Sequence, residues 1–264
     1  MIGYGSMHIV LDSKKLIKEI ERIRLKGKYF SSGGAKNESL PDAVVIEAIG
    51  DDLLIYNGNH ICICYIKMPG ITVVEEGEMT VEISRLLSHL KVFKGSINIQ
   101  VSDKIVIDSN VTGKSALPLL LNHPNPAIIA RIKSFDKDAM VWDGEDETEY
   151  IVGKTKLPTA LNVSSLHLEA PIKGCDNIDM GRYKFDLNEE DETFTISTSS
   201  SPTNYFTANI RMSDWQGESA TVEFSGPFLT FFEGEGITIR MSDDAPIVIA
   251  SEDRAIIKAP FVEG

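Results

Sequence analysis

The sequence has little cysteine, no long apolar run and no cluster of metal-binding residues. Three cysteines, Cys62, Cys64 and Cys175, lack the even count and spacing of a disulfide framework, so a reducing, intracellular setting is expected. Cys62 and Cys64 flank Ile63 in an alternating run, where two small thiols on one side of a strand need no reactive role. No stretch is apolar enough to cross a membrane as a helix, and no membrane partner is expected. The opening MIGYGSMHIVLD lacks the charged and apolar regions of a secretory leader. The five histidines are scattered without metal-ligand spacing, so neither metal nor cofactor is expected. VTGKS at 111–115 ends like a phosphate-binding loop, but the position that must be glycine is Asp108. No spacing gathers serine, histidine and aspartate, and acidic pairs such as Asp51–Asp52 and Asp243–Asp244 suit turns. The chain is therefore expected to be something other than an enzyme.

What is present is a repeat. TVEISRLLSHLKVFKGSINIQVSDKIVID at 80–108 is echoed by TVEFSGPFLTFFEGEGITIRMSDDAPIVIA at 221–250. Thr80, Val81, Glu82 and Ser84 answer to Thr221, Val222, Glu223 and Ser225. Ile97, Ile99, Ser102 and Asp103 answer to Ile237, Ile239, Ser242 and Asp243. In each copy serine can cap a helix, glycine can end it, and alternating branched residues form a hairpin. A strand–helix–strand–strand unit used twice predicts two similar domains, and 264 residues suffice for two cores. The expected division is a first domain over 7–121, a connector over 122–147 and a second domain over 148–264.

Charge is distributed unevenly. The net charge is −13, but residues 1–110 hold 13 basic and 14 acidic side chains, and residues 111–264 hold 13 and 25. Polyanion binding would need cations gathered on one surface, mainly in the first half. Such a surface is predicted on a helix over about Lys14–Lys26, capped by Ser13. Leu16, Ile17, Ile20 and Ile23 take one face; Lys14, Lys15, Lys18, Arg22 and Lys26 take the other. A second helix, about Arg85–Lys94, packs Leu86, Leu87, Leu90 and Phe93 and leaves Arg85 and Lys91 outward. Residues 31–42 are expected to be a flexible loop, and 115–121 a strand. The connector, with Pro124, Pro126 and the acidic DGEDETE, is expected to be partly extended. In the second half, a helix from Ser165 is expected to end near Gly174 or to kink at Pro171.

Two β-rich repeats with two helices each, in an acidic chain of this length, resemble the DNA sliding clamps, most closely the proliferating cell nuclear antigen family. The residues that carry the likeness are APIVI at 245–249, IIKAPFVE at 256–263 and LIYNGNHI at 54–61. The resemblance implies an α+β fold of two similar clamp domains, each of β-sheets with two helices, three subunits closing a pseudo-six-fold ring around double-stranded DNA. It implies sequence-independent DNA contacts from Lys14, Lys15, Lys18, Arg22, Lys26, Arg85 and Lys91. The subunit interface would pair the edge containing Ser115, Leu117 and Leu119 with that containing Tyr205, Thr207 and Asn209. Partners would be a DNA polymerase, a clamp loader and other clients bearing short motifs. Their pocket would be walled by Tyr56, His60 and Ile61, by Pro246 and Ile247, by Ile257, Ala259 and Pro260, and by Ile128 or Ile129 of the connector. One departure stands out: the second domain's helices offer few cations beyond His167 and Lys173. That leaves open a clamp-like ring for damage signalling or hetero-oligomers. A different class also stays open, an acidic β-rich carbohydrate-binding or glycoside-acting domain with Trp142, Trp215 and clustered carboxylates as its surface.

Overall fold

The computed structural model describes residues 6–27, 30–31, 34–37, 39–144, 150–198 and 203–261. In chain order the first half holds β1 (Met7–Asp12), α1 (Ser13–Ile23), a small hairpin β2 (Phe30–Ser31) and β3 (Gly34–Asn37), β4 (Ala43–Ile49), β5 (Asp52–Gly58), β6 (Cys62–Met68), β7 (Thr72–Glu75), β8 (Gly77–Glu82), α2 (Ile83–Leu90), β9 (Ser96–Val101), β10 (Ile105–Ser109) and β11 (Gly113–Leu117). After α3 (Pro126–Lys133) and a 3-10 turn (Asp138–Met140) come β12 (Tyr150–Val152), β13 (Thr155–Leu157), β14 (Thr159–Ser164), α4 (Ser165–Ile178), β15 (Arg182–Asn188), β16 (Thr193–Ser197), β17 (Thr207–Arg211), β18 (Trp215–Gln216), β19 (Ala220–Ser225), α5 (Leu229–Phe232), β20 (Gly236–Met241), β21 (Ile247–Ser251) and β22 (Arg254–Lys258).

The chain forms two compact units. One comprises Met1–Arg24, Leu40–Asn59 and Ile63–Ser134; the other comprises Leu25–Ser39, His60–Cys62 and Phe135–Gly264. The first unit has antiparallel strands in the orders β11-β10-β9-β1-β7 and β6-β5-β4-β8. The second has β22-β21-β20-β14-β18 and β17-β16-β15-β19. These orders correspond strand for strand, β1 to β14, β8 to β19, β9 to β20, with α1 answering to α4 and α2 to α5. The repeat seen in the sequence is thus one half of a larger duplicated unit. The backbone repeats even at a hydrogen bond: Ser13 N donates to Gly95 O and Ser165 N to Glu235 O, both at 2.9 Å.

Local chemistry explains the helices. Asp12, rather than Ser13, caps α1: its carboxylate accepts from Lys14 N and Lys15 N, both at 3.0 Å. Leu16, Ile20 and Ile23 lie on one stripe and are fully buried, at about 1.5–3 kcal/mol each. The helix ends at Ile23, three residues short of the expected Lys26, with Leu25 in the left-handed region at φ 40°. The start of α2 is served from elsewhere in the chain: the Asp42 carboxylate accepts from Ser84 N at 3.2 Å, so Ser84 is not its cap. This helix runs Ile83–Leu90, not Arg85–Lys94, and buries Leu86, Leu87 and Leu90.

Several other expectations are corrected. The segment 31–42 contains β3 and part of the β2–β3 hairpin rather than only loop; residues 32, 33 and 38 lie outside the described residues. The connector stretch contains α3, begun by Pro126 at its first turn, where the missing N–H costs nothing. The acidic run at 145–149 lies outside the described residues. Strand β11 stops at Leu117, because Leu120 N turns to Thr80 O. The α4 helix continues for 14 residues through Pro171. An internal proline costs about 3 kcal/mol; burial of Leu168, Ile172 and Cys175 along one face offsets it.

The second unit's core contains a cluster of edge-on aromatic rings, Phe185 against Phe194 at 5.0 Å and against Phe224 at 4.8 Å. Among the described residues, the same unit holds three buried cations. Lys258, wholly buried in β22, donates from Nζ to Ser225 O at 2.9 Å and Gly226 O at 3.0 Å. Arg254 donates to Phe231 O at 3.1 Å, and Arg240 to Met140 O at 3.1 Å. Lys258 and Arg254 therefore satisfy carbonyls before and within the one-turn helix α5. Replacing Lys258 by Met should cost about 2–3 kcal/mol, since two carbonyls lose a charged donor. The check is the urea midpoint, which should fall with an unchanged slope; an unaltered midpoint would mean that water replaces the ammonium.

Candidate nucleic-acid interface

In the first unit α1 and α2 pack against one another, and cations stand on their solvent side. Lys14, Lys15 and Lys18 are set along α1, all three exposed on its polar face. Arg85 and Lys91 are exposed on α2 and at its end. Arg85 lies 3.7 Å from Glu82, and Lys91 lies 3.0 Å from Glu21 of α1. These are solvent-exposed pairs worth at most about 1 kcal/mol, so a phosphate can compete for the cations. Two residues assigned to this stripe are placed differently. Arg22 is folded against Glu19 at 2.7 Å with 8% of its side chain exposed, so it braces the helix. Lys26 is exposed but lies past the end of α1, within the stretch assigned to the second unit, so helical register does not align it with the others.

Lys14 and Lys15 occupy the first turn of α1, which holds no acidic residue. The helix dipole disfavours cations there by roughly 0.3–1 kcal/mol each. Their position thus works against helix stability, which suits side chains kept for a ligand. Lysines on a helix face supply mobile point charges; they bind phosphates and carry no base-reading geometry.

The corresponding helix pair in the second unit carries a different surface. Lys173 and His167 are exposed on α4, but Glu169 is exposed beside them and Glu233 ends α5. The second unit's other cations include Lys258, Arg240 and Arg254, all spent on internal carbonyls. The shortage on this face is visible in the sequence, but the destination of those cations is not. A lysine inside the strand run IIKAPF carries no mark of burial, since only the packing of β22 decides it.

Two of the sheet-edge strands carry residues assigned to the subunit interface. β11 pairs with β10 alone, and β17 with β16 alone. Ser115 and Leu117 lie within β11, whereas Leu119 lies beyond it. Thr207 and Asn209 lie within β17, whereas exposed Tyr205 precedes it.

The residues assigned to partner docking divide between the units. In the first, Tyr56 is buried, its hydroxyl donating to Glu47 at 3.3 Å and its ring 5.3 Å from Lys133 Nζ. Lys133, from α3, pairs with Glu47 at 3.0 Å and with Glu78. Burial works to lower the Lys133 pKa, but Glu78 and Glu47 outweigh it and leave the ammonium favoured. Ile129 is buried and Ile128 half-buried on the same helix. The start of α3 is held by His123, whose Nδ1 accepts from Asn125 N at 3.0 Å, placing the proton on Nε2 toward Asn57 Oδ1 at 3.3 Å. Burial lowers the His123 pKa and keeps the ring neutral. None of these anchors has a local sequence signature. In the second unit Ala259 N donates to Ile61 O at 2.8 Å, tying the last segment to the His60–Cys62 stretch. His60 is exposed, Pro246, Ala259 and Pro260 half-buried, and Ile61, Ile247 and Ile257 buried. Val262 and Glu263 of the similar C-terminal motif lie outside the described residues. Trp142 is buried, its backbone N–H donating to Thr238 Oγ1, so it offers no stacking platform for a sugar. Among the described residues no cluster of histidine, cysteine and carboxylates could hold a metal.

No family model matches the sequence, and no curated protein matches it. Solved structures do match. The β subunit of DNA polymerase III from Thermotoga maritima superposes with a TM-score of 0.67 at 13% identity, covering 98% of this chain and 66% of that one. PCNA of A. fulgidus, solved with the C-terminal region of FEN-1, gives 0.65 at 14%, covering 98% of this chain and 99% of that one. The H. pylori β clamp, solved with a DNA ligase peptide, gives 0.67 at 14%, covering 98% and 67%. The chain thus spans about two thirds of the bacterial subunits and nearly all of the archaeal one. It has the fold of the sliding clamps, with its repeated domains.

Proposed function

We propose that this protein is a DNA sliding clamp of the proliferating cell nuclear antigen type, a processivity factor that encircles duplex DNA and tethers polymerase and repair proteins. The observation that carries the proposal is the duplicated unit with unlike free edges, β11 in one half and β17 in the other, together with a cationic helix pair. An unlike-edge contact is head-to-tail, and head-to-tail contacts close into rings. The resemblance to the proliferating cell nuclear antigen family implies three copies, hence six units. The exposed lysines of α1 and α2 would meet phosphates, and the acidic remainder of the chain would repel DNA elsewhere. The role is that of a tether rather than a catalyst, exercised inside the cell where DNA is.

Clients would dock by short motifs, as a FEN-1 region does on the archaeal clamp and a ligase peptide on the H. pylori clamp. In the second unit the candidates are His60, Ile61, Pro246, Ile257, Ala259 and Pro260. The hydrogen bond from Ala259 to Ile61 holds two of these stretches together, and small branched side chains leave room for an aromatic plug. The test of the proposal is solution mass by light scattering with retention on circular DNA. About three times the 29.1 kDa monomer, with retention lost on linearising the circle, is expected for a closed ring. A monomer at micromolar concentration, or equal retention on both DNA forms, would overturn it.

A further inference from the structure

The two units differ at their second helices. From Ser84 to Ile97 the first copy of the repeat spans 13 positions; from Ser225 to Ile237 the second spans 12. α2 has 8 residues, whereas α5 has 4 and stops with Glu233 in the left-handed region at φ 44°. In the first unit Ser13 Oγ donates to Phe93 O at 3.3 Å. In the second unit the equivalent serine, Ser165, is only 2% exposed, and its Oγ has no hydrogen-bond partner among the described residues. The second unit has a cavity of about 490 Å³ between α4 and α5, with Ser165 among its lining residues.

The cavity has a definite chemistry. Ile172, Phe228 and Leu229 give it apolar walls, while Glu169, Asp176 and Glu233 supply three carboxylates against the single ammonium of Lys173. Asp176 is held in place, its Oδ1 accepting from Tyr183 Oη at 2.7 Å and Gly181 N at 3.0 Å. Beside the cavity, Leu166 is 57% exposed and packs against Gly234, extending the apolar lining onto the surface. A phosphate would meet net negative charge here. A cation with an apolar stem would find carboxylates for its head and apolar walls for its stem. The volume exceeds one side chain, which leaves space for an apolar neighbour on the same chain.

We propose that the cavity between α4 and α5 binds a basic peptide segment of a partner protein, taking an arginine or lysine side chain flanked by an apolar residue. The site belongs to the second unit alone and does not depend on the clamp reading or on the docking residues named above. It also gives a function to the helix face that lacks DNA-binding cations.

The experiment uses the full chain and two fluorescent peptides of equal length, one alternating arginine and leucine, the other alternating glutamate and leucine. Because the chain carries a net charge of −13, some non-specific attraction is expected, so the readout is the ratio between variants. The arginine peptide should bind, and the pair Glu169→Gln with Glu233→Gln should weaken it about tenfold or more, the effect of losing one to two charge-assisted hydrogen bonds. As a control for bulk charge, Asp243→Asn with Asp244→Asn, at a hairpin turn away from the lining, should change nothing. Equal binding by both peptides, an unchanged affinity in the Glu169/Glu233 variant, or displacement by spermidine at the peptide's own concentration would overturn the proposal.

Discussion

Converting Lys14, Lys15 and Lys18 to glutamate should abolish retention on DNA while leaving the protein at least as stable as before. All three side chains lie on the polar face of α1 and none packs in the core. Two sit in the first turn of α1, where the dipole favours an acid over a base by roughly 0.3–1 kcal/mol per site. The helix should therefore tolerate the change, and the melting temperature should hold or rise. DNA binding responds in the opposite direction. Each phosphate that is no longer neutralised removes about 0.9 from the slope of log affinity against log salt. Reversal adds repulsion from a new carboxylate, so retention should fall by at least about a hundredfold near physiological salt. Arg22 is left out of this variant because its guanidinium is committed to Glu19. Retention and polymerase stimulation equal to wild type, with the same salt slope, would mean that the lysines are only a solvated face.

The second large effect concerns assembly. Strand β17 alternates between N–H groups bonded to β16 and N–H groups facing outward. Thr198 N donates to Phe206 O at 3.0 Å, and Met212 N to Glu192 O at 2.9 Å. The register Ile196–Ala208 and Phe194–Ile210 lies at even steps from both. Ala208 and Ile210 therefore bond inward, and Thr207, Asn209 and Arg211 present the free edge. Proline at Asn209 removes an outward donor without breaking the β16 ladder; proline at Ala208 would damage the unit itself. If the proposed ring forms, Asn209→Pro should reduce it to a 29.1 kDa species with little loss of folding, since the Thr195–Asn209 side-chain bond is exposed. A trimer that survives this substitution would place the subunit contact elsewhere.

The repeat is legible in the sequence because it is written in residue types with strong local demands. TVE, the glycine-ended helical stretch and the I-x-I strands recur in order, and β-branched alternation marks the strands without tertiary help. The cation stripe is legible for the same reason, since a 100° period assigns Leu16, Ile20 and Ile23 to one side and Lys14, Lys15 and Lys18 to another. The ends of elements are not. Asp12 displaces Ser13 as a cap, and Asp42 serves α2 from a distant part of the chain, because a cap is whichever oxygen the folded chain delivers to the N–H groups. Pro171 has the local character of a stop signal, but its cost is smaller than the gain from burying Leu168, Ile172 and Cys175 around it.

The fate of individual charges lies furthest from the sequence. Arg22 falls on the stripe by periodicity, yet Glu19 captures it three residues away. Lys258 and Arg254 look like surface cations of a final strand, yet they enter the core and hold carbonyls that a one-turn helix and its approach leave open. The sequence alone determined the duplicated β-rich architecture, the acidic balance and the cationic face of the first unit, because each follows from periodicity and composition. Only the tertiary structure decided which cations reach solvent, which edges stay free and where the second unit opens a cavity. Those outcomes depend on burial and on hydrogen-bond partners brought from tens of residues away, and no local pattern encodes them.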